Sequence, residues 1–567
     1  NEPIRPTEKV VARTRTTPKP GVHVYDLGQN LVGWVRLKVT GKPGQTITVR
    51  HAERLNPDGT VYLTNLRAAK ATDTYVLKGG TQTLEPMFTF HGFQYVEVTG
   101  ADAPPDPKTV EAVVFHSDLA KTLTFASDNP LLNKLVDNID WGFRGNALDV
   151  PTDCPQRNER AGWTGDAQVF AKTAMFHRNS APFFTKWLKD VEDGQRPDGA
   201  YPDVAPSVVG AGNAAWEDAG VICTYRMWEM YGDTQIIKDQ WPSMTLFMNH
   251  LQKQAPDGIR SAGAYGDWLL LEGPRLSPVL GTAYYFYSAK LMAQMAAATG
   301  KTEDAAQYQA LAEKIRTVFN SRFVTAEGLV QDTGKDSQTF YALALGWGLI
   351  DTAKRPQAAR RLDTLIQQRS GHLATGFIGT PLLLPALASA GRTETANSLL
   401  LNETFPSWLY QVKIGATTMW ERWDGWTPEK GFQDPGMNSF NHYWLGCVGE
   451  WMYSGVAGID TDGPGWSKIS IRPQIDGRLQ KASVSYDSIR GRVESGWQKT
   501  AGGGLTLSVT VPANTTATVY VPARAGASLT ESGKPLSEAQ GVTFVRQEGN
   551  ASVFSVGSGK YTFKVNP

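Results

Sequence analysis

The sequence predicts a multidomain chain of α and β structure, in which a closed ring of paired helices is flanked by two antiparallel β-sandwich domains. Three observations carry this reading. Alternating, turn-punctuated segments occupy both ends of the chain, a helical period fills the middle, and many Trp stand beside Asp, Glu or Gly rather than in apolar runs. At 567 residues the chain is long enough for several domains of roughly 150 residues each.

Residues 1–20 contain Pro3, Pro6, Pro18 and Pro20 and are expected to form an extended leader. From 21 to 117 the strand signals are Thr46–Arg50, Thr74–Leu77, Tyr95–Thr99 and Val110–Phe115, separated by turn clusters such as Asn56-Pro57-Asp58-Gly59 and Gly79-Gly80. That spacing predicts an N-terminal β-sandwich.

From 118 to 458 the period becomes helical. Tyr308, Leu311, Ile315, Val318 and Phe319 recur on one helical face, as do Leu362, Leu365 and Ile366. The joints at 231–234, 299–302 and 390–393 each place Gly232, Gly300 or Gly391 just before an Asp or Thr suited to open the next helix. Consecutive helical hairpins without a regular repeat, joined by long loops rich in Trp and acids, favour a closed toroid over a solenoid. From 459 to 567 alternation returns at Lys468–Ile471, Ala482–Tyr486, Leu505–Val511, Ala517–Val521 and Tyr561–Val565, predicting a C-terminal β-sandwich.

Composition narrows the function. Lys plus Arg number 56 against 55 Asp plus Glu, a net charge of +1, which argues against a generally basic nucleic-acid binder or a binder of anionic membranes. No apolar run approaches the roughly 20 residues of a spanning helix. Three cysteines, Cys154, Cys223 and Cys447, form no C-x-x-C pair, so neither a disulfide framework nor a cysteine zinc site is signalled. No H-x-H, H-E-x-x-H, EF-hand loop, nucleophile elbow or phosphate loop is present, so no metal or cofactor is expected. By contrast 17 Trp, 19 Tyr and 22 Phe, many beside carboxylates, suit sugars, whose C–H faces stack on rings while their hydroxyls bond to acids.

Two segments concentrate chemistry. The first is DCPQRNERAGWTGD, residues 153–166, with Asp153, Arg157, Glu159, Arg160 and Asp166 around Trp163. As a loop entering a pocket it would let Arg157 or Arg160 hold Asp153 ionised while a less compensated Glu159 stays protonated. The second, TTMWERWDGW at 417–426, sets Glu421 and Asp424 among three Trp. A closed toroid would bring Glu159 and Glu421 face to face. Further candidates are the Trp216-Glu217-Asp218 group, Tyr265-Gly266-Asp267-Trp268, and Asn438-Ser439-Phe440-Asn441-His442-Tyr443.

These motifs together resemble the α-L-rhamnosidases of glycoside hydrolase family 78, over roughly residues 20–540. The resemblance implies an (α/α)6 barrel and hydrolysis with inversion by two glutamates, with Glu159 as general acid and Glu421 as general base. It places Asp153, Arg157, Trp163 and Asp166 around the rhamnose pocket, and Trp216, Asp267, Trp268 and His442 there through shorter motifs. Ionised Asp153 and Asp166 would stabilise an oxocarbenium-like transition state, and Trp163, Trp216 and Trp268 would wall the sugar's 6-methyl group. Many members carry further β domains, some with a calcium-dependent rhamnose-binding module; no calcium site is carried over.

The implied substrate is a terminal α-L-rhamnoside, either a small glycoside or an oligosaccharide, with no nucleic-acid or membrane partner. Inverting glucosidase or trehalase activity would use the same carboxylate pair. A non-catalytic sugar-binding protein would be expected to lack one glutamate, and both are present. Periplasmic or extracellular residence is favoured over cytoplasmic for a polymer-degrading enzyme, while the sequons at Asn402, Asn514 and Asn550 decide nothing.

Overall fold

The computed structural model describes residues 2–206 and 209–566. Contacts divide the chain into two compact units. The first comprises the chain up to Leu119, Asp137–Trp163 and Tyr410–Gly446; the second comprises Ala120–Val136, Thr164–Leu409 and the chain from Cys447 onward.

In the first unit, eight strands form one sheet: β1 (Ile4–Val11), β2 (Thr14–Lys19), β3 (Val22–Gly41), β4 (Thr46–Ala52), β5 (Thr72–Val76), β6 (Gly80–Leu84), β7 (His91–Thr99) and β8 (Val110–Ser117). Alternation is the physical cause: along β4 the inward residues Ile47, Val49 and His51 are buried while Thr48 and Arg50 are half-buried. The long β3 pairs with β2 and β7 through its first half and with β8 and β6 through its second, with a register break between Asp26 and Leu31. Tyr25, Leu37, Ile47, Phe93, Val96 and Val98 lie in the core of this sheet.

The expected leader is thus corrected: residues 4–11 and 14–19 are paired strands. Pro6 stands at the irregularity in the β1–β8 register and Pro18 at that between β2 and β3, places where the missing N–H of proline costs no ladder bond.

The second unit holds the helical hairpins and the C-terminal β structure. Ala219–Tyr231 leads into Thr234–Gln254, Pro278–Ala298 into Thr302–Phe323, and Thr380–Ser389 into Thr393–Leu400. At the joints Gly232, Gly300 and Gly391 take φ of 70°, 75° and 76°, the left-handed conformation that ends a helix at little cost only for glycine. Asp233 then caps its helix by accepting from Gln235 N–H at 2.7 Å, whereas Thr302 and Thr393 are the first helical residues. On Thr302–Phe323 the buried stripe is Tyr308, Ala312, Ile315, Phe319 and Phe323, leaving Leu311 and Val318 half-buried on its flank.

After Val456 the chain forms two sheets of five and seven strands. The seven-stranded sheet ends on β9 (Leu123–Ser127), which pairs antiparallel with Ala482–Tyr486. Residues 123–127, expected in the helical domain, therefore belong to the C-terminal β structure. No helix among the described residues is long and apolar enough to cross a membrane.

Candidate active site

The first unit holds residues 153–163 of the first chemical segment and all of the second. The 153–160 loop lies against β7 at Gly92, where an added Cβ would fall 2.8 Å from the Gln156 side chain and 3.1 Å from its backbone. Its turn is closed by Asp153, whose N–H donates to Ala161 C=O while its Oδ1 accepts from Ala161 N–H at 3.1 Å. Arg160, at φ 48°, donates to the carbonyls of Pro155 and Phe90 and stacks on the Phe90 ring. It is a fastener of the loop rather than a partner of Asp153.

Arg157, 1 % exposed, is the hub. Its Nε donates to Glu159 Oε2 at 2.9 Å, and its Nη1 forms an ion pair with Glu421 Oε2 at 3.3 Å. Two carboxylates held by one guanidinium cannot stand further apart than the two contacts plus the width of that group. This keeps the contacting oxygens within the upper limit of the roughly 6.5–9.5 Å separation of inverting glycosidases. Glu159 Oε2 also accepts from Arg67 Nη1 at 2.9 Å and its Oε1 from Trp163 Nε1 at 3.1 Å.

Burial pushes the Glu159 carboxyl up, but Arg157, Arg67 and His442 together outweigh it and hold it below its usual range. Glu159 is thus not the less compensated carboxyl that the sequence suggested: Arg157 acts on it as well as on Asp153. Trp163 meets Glu159 with its N–H edge, so it orients the carboxyl as well as offering an apolar face.

Glu421 is fixed by its neighbours in the chain and by the 438–442 segment. Its N–H donates to Ser439 C=O at 2.9 Å, its Oε2 accepts from Ser439 N–H at 3.1 Å, and Trp444 Nε1 donates to its carbonyl at 2.8 Å. His442 N–H bonds Met419 C=O, and its ring nitrogen Nδ1 lies 3.3 Å from the buried Cys154 sulfur. Asp153, Arg157, Glu159, Trp163, Glu421 and His442 are thereby gathered into one constellation.

Two members of this constellation were not singled out by sequence. Glu53, buried one residue beyond β4, accepts from Asn30 Nδ2 at 2.9 Å, Asn65 Nδ2 at 3.1 Å and Phe440 N–H at 3.2 Å. It thus pins the segment that holds Glu421. Burial carries its carboxyl up to about 7 against the pull of these donors and of Arg157. Arg67, at φ 56°, joins Glu159 to the Gly436 carbonyl. The His51-Ala52-Glu53-Arg54 stretch reads locally as an ordinary strand end, and only long-range pairing reveals its purpose.

The second unit holds the other expected residues. Trp216 is buried, packs 4.8 Å from the Tyr265 ring, and sits so close to Gly165 that any Cβ there would clash. Trp268 is half-buried under the Arg275 guanidinium. Asp166 is buried in the first turn of Thr164–His177. Asp267 departs from expectation: fully buried, it accepts from the backbone N–H groups of Gly376 at 3.0 Å and Ile378 at 2.9 Å and from the Thr339 hydroxyl. Its oxygens are committed to the protein, so it braces the loop carrying Trp268 instead of meeting substrate. Glu217 and Asp218 are likewise bound by Arg260, at 2.6 and 2.9 Å. Asp203, missed by sequence, is raised to about 7 by burial and accepts from Asn213.

Comparison with known proteins places the chain among bacterial α-L-rhamnosidases. Residues 120–456 match the bacterial alpha-L-rhamnosidase 6 hairpin glycosidase domain, 16–116 the concanavalin-like domain of these proteins, and 458–535 their C-terminal domain. An α-L-rhamnosidase of Streptomyces avermitilis is 48 % identical over 99 % of this chain and 54 % of its own length. One of Formosa agariphila is 38 % identical over 96 % and 60 %. The crystal structure of the Streptomyces avermitilis enzyme complexed with L-rhamnose superimposes with a TM-score of 0.95 at 47 % identity, covering all of this chain and 54 % of that one. The chain spans little more than half the length of these relatives. With the helical domain matched over most of its residues and both β domains matched beside it, the chain belongs to the bacterial α-L-rhamnosidase family.

Proposed function

We propose that this chain is an inverting α-L-rhamnosidase that removes terminal non-reducing α-L-rhamnose from glycosides or oligosaccharides. The observation that carries the reading is the single buried guanidinium of Arg157 shared by Glu159 and Glu421. Glu159 donates a proton to the glycosidic oxygen as its bond to the anomeric carbon breaks. Glu421 takes a proton from the water that attacks the opposite face of that carbon.

Because the arginines hold the resting Glu159 carboxyl low, the acid is charged with its proton on the way to the reaction. Arg67 is the partner that yields most readily, since its side chain is 32 % exposed whereas that of Arg157 is 1 % exposed. A sugar that displaces water and loosens the Arg67 contact raises the pKa of Glu159 in the complex. That the relatives are named α-L-rhamnosidases, one in complex with L-rhamnose, supports rhamnose as the sugar. Action on polymer fragments outside the cytoplasm fits the same reading.

The test is hydrolysis of p-nitrophenyl α-L-rhamnoside, p-nitrophenyl α-D-glucoside and a natural rhamnosyl disaccharide, with proton NMR of the first sugar released. Rhamnoside cleavage giving initially β-L-rhamnose supports the proposal. Glu159→Gln and Glu421→Gln should each lower kcat on the disaccharide by about 10²–10⁴. Cleavage of the glucoside alone, or release of α-L-rhamnose first, refutes it.

A further inference from the structure

His51, Asp73 and His91 converge from β4, β5 and β7, three strands adjacent in the sheet with β4 in the middle. Their potential ligand atoms all lie within 4.8 Å of one another. The two imidazoles stack with centroids 4.0 Å apart. Asp73 Oδ1 is 3.1 Å from His91 Nε2, and Asp73 Oδ2 is 3.8 Å from His51 Nε2.

The proton positions make this trio unusual. His51 Nδ1 lies 3.0 Å from the Ala71 carbonyl, and a carbonyl only accepts, so Nδ1 carries the hydrogen. Nε2 of the neutral ring is then a bare lone pair. It is fully buried without a hydrogen-bond partner, and so is Asp73 Oδ2, which it faces. Two buried acceptors set against each other repel unless a cation or a second proton on His51 lies between them.

We propose that His51 Nε2, His91 Nε2 and the Asp73 carboxylate form a binding site for a divalent transition-metal ion of the zinc class, with water as the fourth ligand. Two imidazoles and one carboxylate suit zinc, whereas calcium and magnesium prefer oxygen alone. Tetrahedral bonds of about 2.0–2.1 Å set ligand atoms a little over 3 Å apart, which the 3.1 and 3.8 Å separations to Asp73 approach, and binding turns the two stacked rings out of their stack so that both Nε2 lone pairs meet one ion. The Ala71 carbonyl already fixes the ligating tautomer of His51, as outer partners of metal-bound histidines do. On binding, the proton that joins His91 Nε2 to Asp73 moves to Nδ1 or leaves to solvent, and the metal takes the lone pair. The small exposure of His91 and Asp73 gives the ion a way in. The site would clip three strands together just before β4 delivers Glu53 to the segment that holds Glu421.

The test uses the tag-free full chain, stripped with chelator and then titrated with zinc chloride by calorimetry and with cobalt chloride by visible absorption. One zinc per chain and the d–d bands of tetrahedral cobalt are expected. Asp73→Asn and His91→Gln should each weaken zinc binding by about tenfold or more and abolish the bands, with unchanged circular dichroism. His51→Gln should do the same, and if it fails to fold the other two variants decide. No zinc uptake by the wild type, or zinc and cobalt signals that survive in Asp73→Asn and His91→Gln, overturns the proposal and leaves the trio a hydrogen-bonded strut.

Discussion

The two units of the molecule use the same raw material, acids beside tryptophans, to opposite ends. In the second unit Asp218 is gripped by Arg260, by Ser288 and by a backbone N–H, and Asp267 is ringed by main-chain donors. These carboxylates have no capacity left for a ligand. In the first unit Glu159 and Glu421 divide one arginine between them, and the side chain of Glu159 remains 18 % exposed. A carboxylate's role therefore follows from how many of its lone pairs the protein leaves open, which neighbouring sequence does not reveal.

The sharpest way to break this contrast is to remove the arginine from each unit. Arg260→Met strands Glu217 and Asp218 as buried charges and should cost about 3–5 kcal/mol, read as a fall in the urea unfolding midpoint. Arg157→Met should instead abolish most rhamnoside hydrolysis while lowering that midpoint less, because water reaches Glu159. Equal destabilisation by the two substitutions would erase the distinction.

A smaller effect is expected at Glu53. Its folded pKa, about 7, exceeds the unfolded value, so the folded chain binds more protons between about pH 4.5 and 7. Its contribution to stability is thus greatest at acid pH and falls as pH rises through that window. Glu53→Gln, which sets an amide N–H against donors now accepted by a carboxylate, should flatten this part of the stability profile, lower the melting temperature by a few degrees and reduce kcat more than it changes KM.

The smallest and most discriminating change is Arg67→Ala. Removing one cation from Glu159 raises its pKa, so the alkaline limb of kcat/KM should move upward by about one pH unit. A downward shift, or none, would show that Arg67 does not govern the acid.

Much of this was legible in sequence where one residue's neighbours determine its environment. Alternation located the strands at 468–471, 505–511 and 516–521, and the left-handed glycines at 232, 300 and 391 marked helix ends. The 153–166 and 417–426 motifs held both glutamates. Sequence failed where a residue's meaning comes from distant partners. The prolines of β1 and β2 disguised strands because their missing N–H groups fall at register breaks. Asp267 resembled a sugar ligand until its four donors, from Thr339 and the 376–379 turn, were in place. Glu53, and the His51, Asp73 and His91 trio, have no local spacing that a motif would catch, since each set is assembled across strands.

The strand β9 carries a consequence for synthesis. Residues 123–127 leave the ribosome long before Ala482–Tyr486, the partner that completes their edge of the C-terminal sheet. At roughly 5–20 residues per second, this segment waits on the order of tens of seconds with its backbone donors and acceptors unclaimed. Chains truncated ahead of residue 482 would carry that open edge permanently and be prone to pair with one another. The C-terminal β structure thus acts as a late-arriving clasp, and complete translation is a condition for the earlier segments to be safe from aggregation.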